Sequence, residues 1–315
     1  LSASFTERTQ TQKFRNLLRL TWKYRMVYTL LAPGLIWYII FVYGPMGGLT
    51  LAFKSYRASG GIWGSPWVGM ENFKYIFLDQ AFMRSVIRTL EINLGRMVFQ
   101  FPMAIVVALL LNEVIFLRMK KGLQTILTFP HFLSWVVLSS VLITVLSYDG
   151  FVNGIIRAFG FKSFNFLGNQ SIFVPMLYST EIWKNSGWGA IIYLAAISGI
   201  DAEQYEAAAI DGVNRFQRIF HITLPSILPT IIVMFILTMG GLMSTGFDQI
   251  FNLSNAAVRD VAETLDMYIY KISFQSAPDF SYSTAVSLFR SVINMAFLLV
   301  ADRIAKLMGK DGLMG

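Results

Sequence analysis

Residues 26–53 and again 122–148 contain no Asp, Glu, Lys or Arg. A helix needs roughly 20 apolar residues to cross the hydrocarbon of a bilayer, and both runs exceed that length. Further apolar stretches at 90–111, 172–199, 222–247 and 282–300 bring the set of expected spans to six. The fold class that follows is all-α, a polytopic membrane protein, with the first span packing at the edge of a core formed by the other five. Pro33, Gly34 and Pro45 interrupt the first run. Such breaks are tolerated in membranes because neighbouring helices re-satisfy the freed backbone groups. Pro130 is expected to kink the third span.

Hydrophobic residues make up 55% of the chain and charged ones only 14%, far below the roughly 25% of a soluble domain. The net charge of +8 is spread over short polar segments, which fits membrane topology and gives no footprint for nucleic acid. The chain contains no cysteine, which excludes disulfides, thiolate metal sites and cysteine nucleophiles. With His131 and His221 as its only histidines, a histidine metal cluster is not expected. A membrane enzyme would need a clustered acid–base or metal constellation, and the sequence presents none.

Six spans place both termini on one side. Lys and Arg in residues 1–25, at 118–121, at Arg215 and Arg218, and at Arg303, Lys306 and Lys310 outnumber those in the alternate segments. Positively charged loops stay inside, so both termini are expected in the cytoplasm. Residues 1–25, with Arg8, Lys13, Arg15, Arg19, Lys23 and Arg25, have no apolar core ending in a cleavage site. They read as a basic tail at the headgroups, anchored by Trp22 and Tyr24, rather than as a cleaved signal.

The most informative polar interval is 201–225, DAEQYEAAAIDGVNRFQRIFHITLP. Asp201 with Gln204 has the form of a capping box that starts a helix through Tyr205, Glu206, Ala207, Ala208 and Ala209. Gly212 after Asp211 stops it, since glycine takes a left-handed conformation at little cost. Asn214 with Gln217 repeats the start signal, and Phe216, Ile219, Phe220 and Thr223 share one face of a second helix; Pro225 is expected to close that element and begin the next span. Three alanines let a helix enter a narrow groove on another protein, although alanine also simply favours helix in a connecting loop.

This segment resembles the EAA motif of binding-protein-dependent ABC importer permeases. Glu206, Ala207 and Ala208 match its Glu-Ala-Ala run, Asp211 and Gly212 the Asp-Gly that follows, and residues 222–225 its closing apolar-Thr-Leu-Pro. The resemblance extends to PGLIWYIIFVYGPMGG at 33–48, SPWVGMENF at 65–73 and FPHFLSW at 129–135, and is strongest to the polysaccharide and uronate-oligosaccharide branch. It implies a bacterial inner-membrane subunit forming half of a saccharide path, for alginate or another uronate among the candidates. It also implies a second homologous permease, two ATP-binding-cassette ATPases and an extracytoplasmic solute-binding protein as partners, with alternating access as the mechanism. Residues 201–225, above all Tyr205 to Ala209, Asp211, Gly212, Phe216 and Phe220, would couple to an ATPase. This chain has no G-x-x-x-x-G-K-[ST] loop, so it binds no cofactor itself, and ATP and Mg belong to partner subunits.

Ionisable groups inside a span are costly and are functional candidates by default. Glu181, Asn185 and Trp188 fall at i, i+4 and i+7, one face of the fourth span, and offer a carboxylate, an amide and a ring to a sugar. Thr238, Ser244 and Thr245, near Asp248, give the fifth span a polar side. These six are the expected path residues. The plainer reading pairs Glu181 with Lys184 three residues on. Arg290 with Asn294 reads as structural, and Arg96 as snorkelling to the outer boundary near Glu91. For an anionic solute, Lys184 and Arg290 would offset its charge and the membrane carboxylates would oppose it. His131 reads as a hydrogen-bonded residue at the Pro130 kink and His221 as a cap of the fifth span. The rival to an ATP-driven importer is a secondary transporter or channel driven by an ion gradient, using Glu181 and Asp248, which leaves the ordered 201–225 motif without a purpose.

Overall fold

A computed structural model describes residues 19–244, 246–275, 277–307, 309 and 312. Helices α1 (Arg25–Tyr38), α2 (Gln80–Asn112), α3 (Leu117–Thr128), α4 (Trp135–Leu146) and α5 (Gln170–Ser198) form the first part of the chain. Helix α6 (Ala202–Ile210), the continuous helical run α7 (Arg215–Gly240), α8 (Phe247–Leu253), α9 (Leu265–Tyr270) and α10 (Phe280–Leu307) follow. Among the described residues there is no strand beyond a bridge between Lys54 and Trp67. The all-α polytopic expectation is met.

Five stretches are long and apolar enough to cross a bilayer: Arg25–Phe53, Gln80–Asn112, Trp135–Ala158, Arg215–Gly240 and Phe280–Leu307. Helix α5, at 29 residues, is as long but carries Glu181 and Lys184, and it serves as the sixth. Long α2 and α5 form the centre. Their inner halves pack Ala108, Leu111, Ala190, Leu194 and Ile197 with Ile227 of α7. Their outer halves pack Ile92, Phe173 and Leu177 with Ile250 and Leu253 of α8. Side-chain caps set where helices begin: Asp79 accepts from the N–H groups of Ala81 and Phe82, and Asn169 from that of Ser171.

Helix α1 buries none of its residues within the chain and passes directly into a π turn at Ile39–Tyr43 and a 3-10 segment at Gly44–Phe53. This peripheral placement matches the expected edge position. The third span is not one kinked helix. Pro130 breaks it into α3 and α4, joined by a 3-10 turn at Phe129–Phe132, because proline supplies no N–H and cannot carry the α ladder on. Pro225 begins the fifth span as expected, in the first turn of its α-helical part, where a missing N–H costs little, but the helix before it is not closed off and runs into the span through a π turn at Ile219–Thr223. Residues 1–18, with Arg8, Lys13 and Arg15, lie outside the described residues, as do Thr245 and Lys310.

Candidate functional site

Between the middle of α2 and α5 and the C-terminal end of α7 lies a cavity of about 570 Å³. Asn93, Arg96 and Gln100 line it from α2, Glu181, Asn185, Trp188 and Tyr193 from α5, and Thr238 from α7. Ser244 and Gly246, in the bend before α8, and His131, in the 3-10 turn, complete its polar wall. Five of the six expected path residues therefore share one cavity, and the sixth, Thr245, is outside the described residues.

The helical spacing of Glu181, Asn185 and Trp188 does put all three on the cavity side of α5. Asn185 Nδ2 donates to Glu181 Oε1 at 2.7 Å, and Asn185 Oδ1 meets His131 Nδ1 at 2.8 Å. An amide oxygen only accepts, so the His131 Nδ1–H is the donor. The His131 ring also stacks on the Trp188 indole. His131, Asn185 and Glu181 thus form one hydrogen-bonded chain along the wall, while Glu181 Oε2 is buried without a partner. That oxygen is covered by its neighbours, so a ligand hydroxyl reaches it only if the wall shifts.

Three pairings differ from the sequence reading. Glu181 does not bridge to Lys184. The Lys184 ammonium instead donates to the backbone oxygens of His131 and Leu133, both at 2.7 Å, and of Pro130 at 3.3 Å. It caps the unwound backbone that Pro130 creates, which explains a lysine only 5% exposed inside a span. Arg96 does not snorkel: it is 7% exposed and donates to Gln249 Oε1 at 2.5 Å. Gln249 in turn donates to Thr180 Oγ1 and the Leu177 carbonyl. The Arg96 guanidinium packs against Gly246, where φ is +71° and a Cβ would collide with it. Arg290 pairs with Asp266 of α9 rather than with Asn294, whose amide instead joins Met243 N and Ser244 Oγ. Glu91 forms an exposed pair with Arg88.

Arg96, His131 and Gln100 were not placed on the path by sequence reasoning. The usable signal was the clustering of Asn93, Arg96 and Gln100 at i, i+3 and i+7 on an otherwise apolar helix.

At the other end of α5 and α7, residues 201–225 project from the bundle. Asp201 caps α6 through the Glu203 N–H, without the reciprocal bond from Gln204 that a full capping box requires. Gly212 takes φ +72°, and the bonds Val213 N to Ala208 O and Gly212 N to Ala209 O close a Schellman turn. Asn214 and Gln217 do form a reciprocal capping box. Glu206, Ala207, Ala209 and Asp211 are exposed, and Ala208 alone in α6 is buried. Ile210, Phe216 and Phe220 are 88%, 75% and 63% exposed, large apolar groups that no other described residue covers. Tyr205 turns inward, its hydroxyl 3.0 Å from Thr223 Oγ1. His221 Nδ1 meets the Gln217 carbonyl, as a cap at the start of the span. Among the described residues no group of three or more His, Cys, Asp or Glu is placed to hold a metal.

An all-helical bundle with a polar cavity at mid-depth and an exposed apolar element at one end defines a membrane permease with a docking segment. The family described as binding-protein-dependent transport system inner membrane component matches residues 100–310. Protein LplB of Bacillus subtilis (strain 168) is 41% identical over 290 residues, spanning 92% of this chain and 91% of LplB. The polygalacturonan/rhamnogalacturonan transport system permease protein YteP of the same organism is 39% identical over 303 residues, 96% of this chain and 94% of YteP. A chain of the bacterial alginate ABC transporter, crystallised with an alginate pentasaccharide-bound periplasmic protein, superposes with a TM-score of 0.85. It is 34% identical, over 94% of this chain and 99% of that one. The chain belongs to the binding-protein-dependent transport system inner membrane components, and the expectation of an ABC importer permease is met.

Proposed function

We propose that this chain forms half of the translocation path for an acidic saccharide, a polygalacturonate, alginate or related uronate chain, and works by alternating access. The other half belongs to a second, different permease. Two ATP-binding-cassette ATPases, holding ATP and Mg, grip α6 and the Phe216–Phe220 face, and an extracytoplasmic solute-binding protein delivers the saccharide. Both termini lie in the cytoplasm. Hydrolysis occurs in the partners, and this chain carries no catalytic residue.

The observation that carries this reading is the cavity wall. His131 stacked on Trp188 offers a flat aromatic platform for a sugar face, while Asn185, Thr238 and Ser244 offer polar groups for hydroxyls. Arg96 adds the cavity's cation, suited to a uronate carboxylate. The names of YteP and of the alginate transporter support the acidic class. Family membership disfavours the gradient-driven transporter.

The test is uptake by the complete transporter in proteoliposomes, with the solute-binding protein outside and ATP inside. Labelled uronate oligosaccharide should accumulate only with ATP, and neutral oligosaccharides of equal length should compete poorly. Accumulation driven by a proton or sodium gradient without ATP would refute the reading.

A further inference from the structure

Helix α2 ends at Asn112, and the next residue, Glu113, turns its carboxylate toward the start of α7. Arg218 Nη2 donates to both Glu113 oxygens, at 2.9 and 3.0 Å, and Arg215 Nε lies 4.0 Å away. The Arg218 guanidinium is also 5.8 Å from the Tyr205 ring, whose hydroxyl bonds Thr223. Three elements therefore meet at one charged group: the end of α2 through Glu113, the root of α7 through Arg218, and α6 through Tyr205.

We propose that the Glu113–Arg218 pair is the joint that makes α2 move together with α6 and α7 during the transport cycle. This rests on the reading of α6 as the ATPase-coupled helix.

The need for such a joint follows from the helix beyond it. Between Arg218 and the straight part of α7 lies a π turn, Ile219–Thr223. Such turns interrupt the α ladder and are local soft points. A push on α6 that reached only Arg218 would bend the chain there and fade. Tying Arg218 to Glu113 hands the displacement to α2, a 33-residue helix that runs on through Pro102, where one bond of its ladder is missing. Arg96 lies 17 residues back along that helix, about 25 Å at 1.5 Å per residue. Thr238 lies a similar distance up α7. The two walls of the cavity are therefore pinned at a common root, and a shift of α6 moves both. Glu113 and Arg218 are positioning residues: neither lines the cavity, and Glu113 is outside the α6 segment.

The complete transporter in proteoliposomes tests this, with ATP hydrolysis stimulated by the solute-binding protein as one readout and saccharide accumulated per ATP as the other. Glu113→Gln and Arg218→Gln should each lower the saccharide-to-ATP ratio at least fivefold, while co-purification of the ATPases is unchanged in Glu113→Gln, which lies outside the docking segment. Because the chain has no cysteine, a Glu113→Cys, Arg218→Cys variant can be bridged by a short bifunctional thiol reagent. Unbridged, it should be uncoupled like the single variants, and bridging should restore at least half of the native ratio. Native ratios in the single variants, loss of ATPase association in Glu113→Gln, or a bridge that blocks transport would each overturn the joint. If an uncoupling α6 variant such as Gly212→Val instead transports normally, the coupling reading itself fails. If α6 variants uncouple and joint variants do not, only the joint fails.

Discussion

The imidazole of His131 lies flat on the indole of Trp188, with ring centroids 4.5 Å apart and planes 2° from parallel. The two residues sit 57 positions apart in sequence and on different elements, and the contact depends on the break that Pro130 introduces. Without it, His131 would continue a helix and leave the cavity wall. Trp188→Ala should therefore raise the saccharide concentration for half-maximal stimulated hydrolysis about tenfold, equivalent to ~1.4 kcal/mol, and Trp188→Phe by less. An unchanged concentration dependence in reconstituted transporter would remove the platform from the path.

Lys184 holds the same break open from the other side. Its ammonium donates to three carbonyls of the unwound turn, those of His131, Leu133 and Pro130, the last of which also accepts from the Leu133 N–H. Lys184→Met keeps the length and removes the donors, and hydrogen bonds of a charged group are worth about 1.5–3 kcal/mol. Thermal unfolding in detergent should show a loss of at least ~2 kcal/mol, with Lys184→Arg retaining more than Lys184→Met. Equal stability of Lys184→Met and wild type would show that the carbonyls need no partner.

Gly212 holds φ +72°, which a β-branched residue adopts only under strain. Gly212→Val should cost about 1–3 kcal/mol locally, fray the turn after α6, and weaken ATPase association, while insertion of the chain persists. Gly212→Asn should be milder because Asn tolerates the left-handed region. Normal ATPase capture by Gly212→Val would argue that the geometry of the turn does not matter to docking.

At the N-terminal end of α2, burial tends to raise the Asp79 carboxyl, but hydrogen bonds from Tyr268 and from the N–H groups of Ala81 and Phe82 outweigh it and hold the group below its ordinary value. A carboxyl depressed on folding adds stability that is full above its unfolded value and lost as pH falls through the folded one. The stability difference between wild type and Asp79→Asn should be constant near neutrality and shrink only below about pH 4. Melting temperatures measured across pH would reveal it. A difference that shrank near pH 6 instead would contradict the assigned bonds.

Much of the architecture was readable in the chain because it follows from local rules. Uncharged length marks the spans, Asn214 with Gln217 and the Asp211–Gly212 pair mark the ends of helices, and the spacing of Glu181, Asn185 and Trp188 gives one face. What was not readable depends on which elements meet. Lys184 stands three residues from Glu181, so the nearest opposite charge is the natural partner on paper. In the fold, a broken turn from 50 residues away brings stronger claims on the ammonium than the carboxylate does. Arg96 looked close enough to the membrane boundary to reach water, yet Gln249, on a short helix after a left-handed glycine, returns to meet it. Pro225 was legible as the start of the fifth span, but the π turn that joins the preceding helix to it left no mark in the sequence. His131 was legible as a kink residue and not as a wall of the cavity, since its stacking partner lies on another helix.

The most direct test of a saccharide path through this chain is site-specific photocross-linking. A benzophenone amino acid at position 188, in the complete transporter with a labelled uronate oligosaccharide and its binding protein, should mark this chain with the label during ATP-driven uptake. The same probe at Trp183, which is exposed on the same helix away from the cavity, should remain unlabelled. Labelling at 183 and not at 188, or labelling at neither while uptake proceeds, would contradict the path.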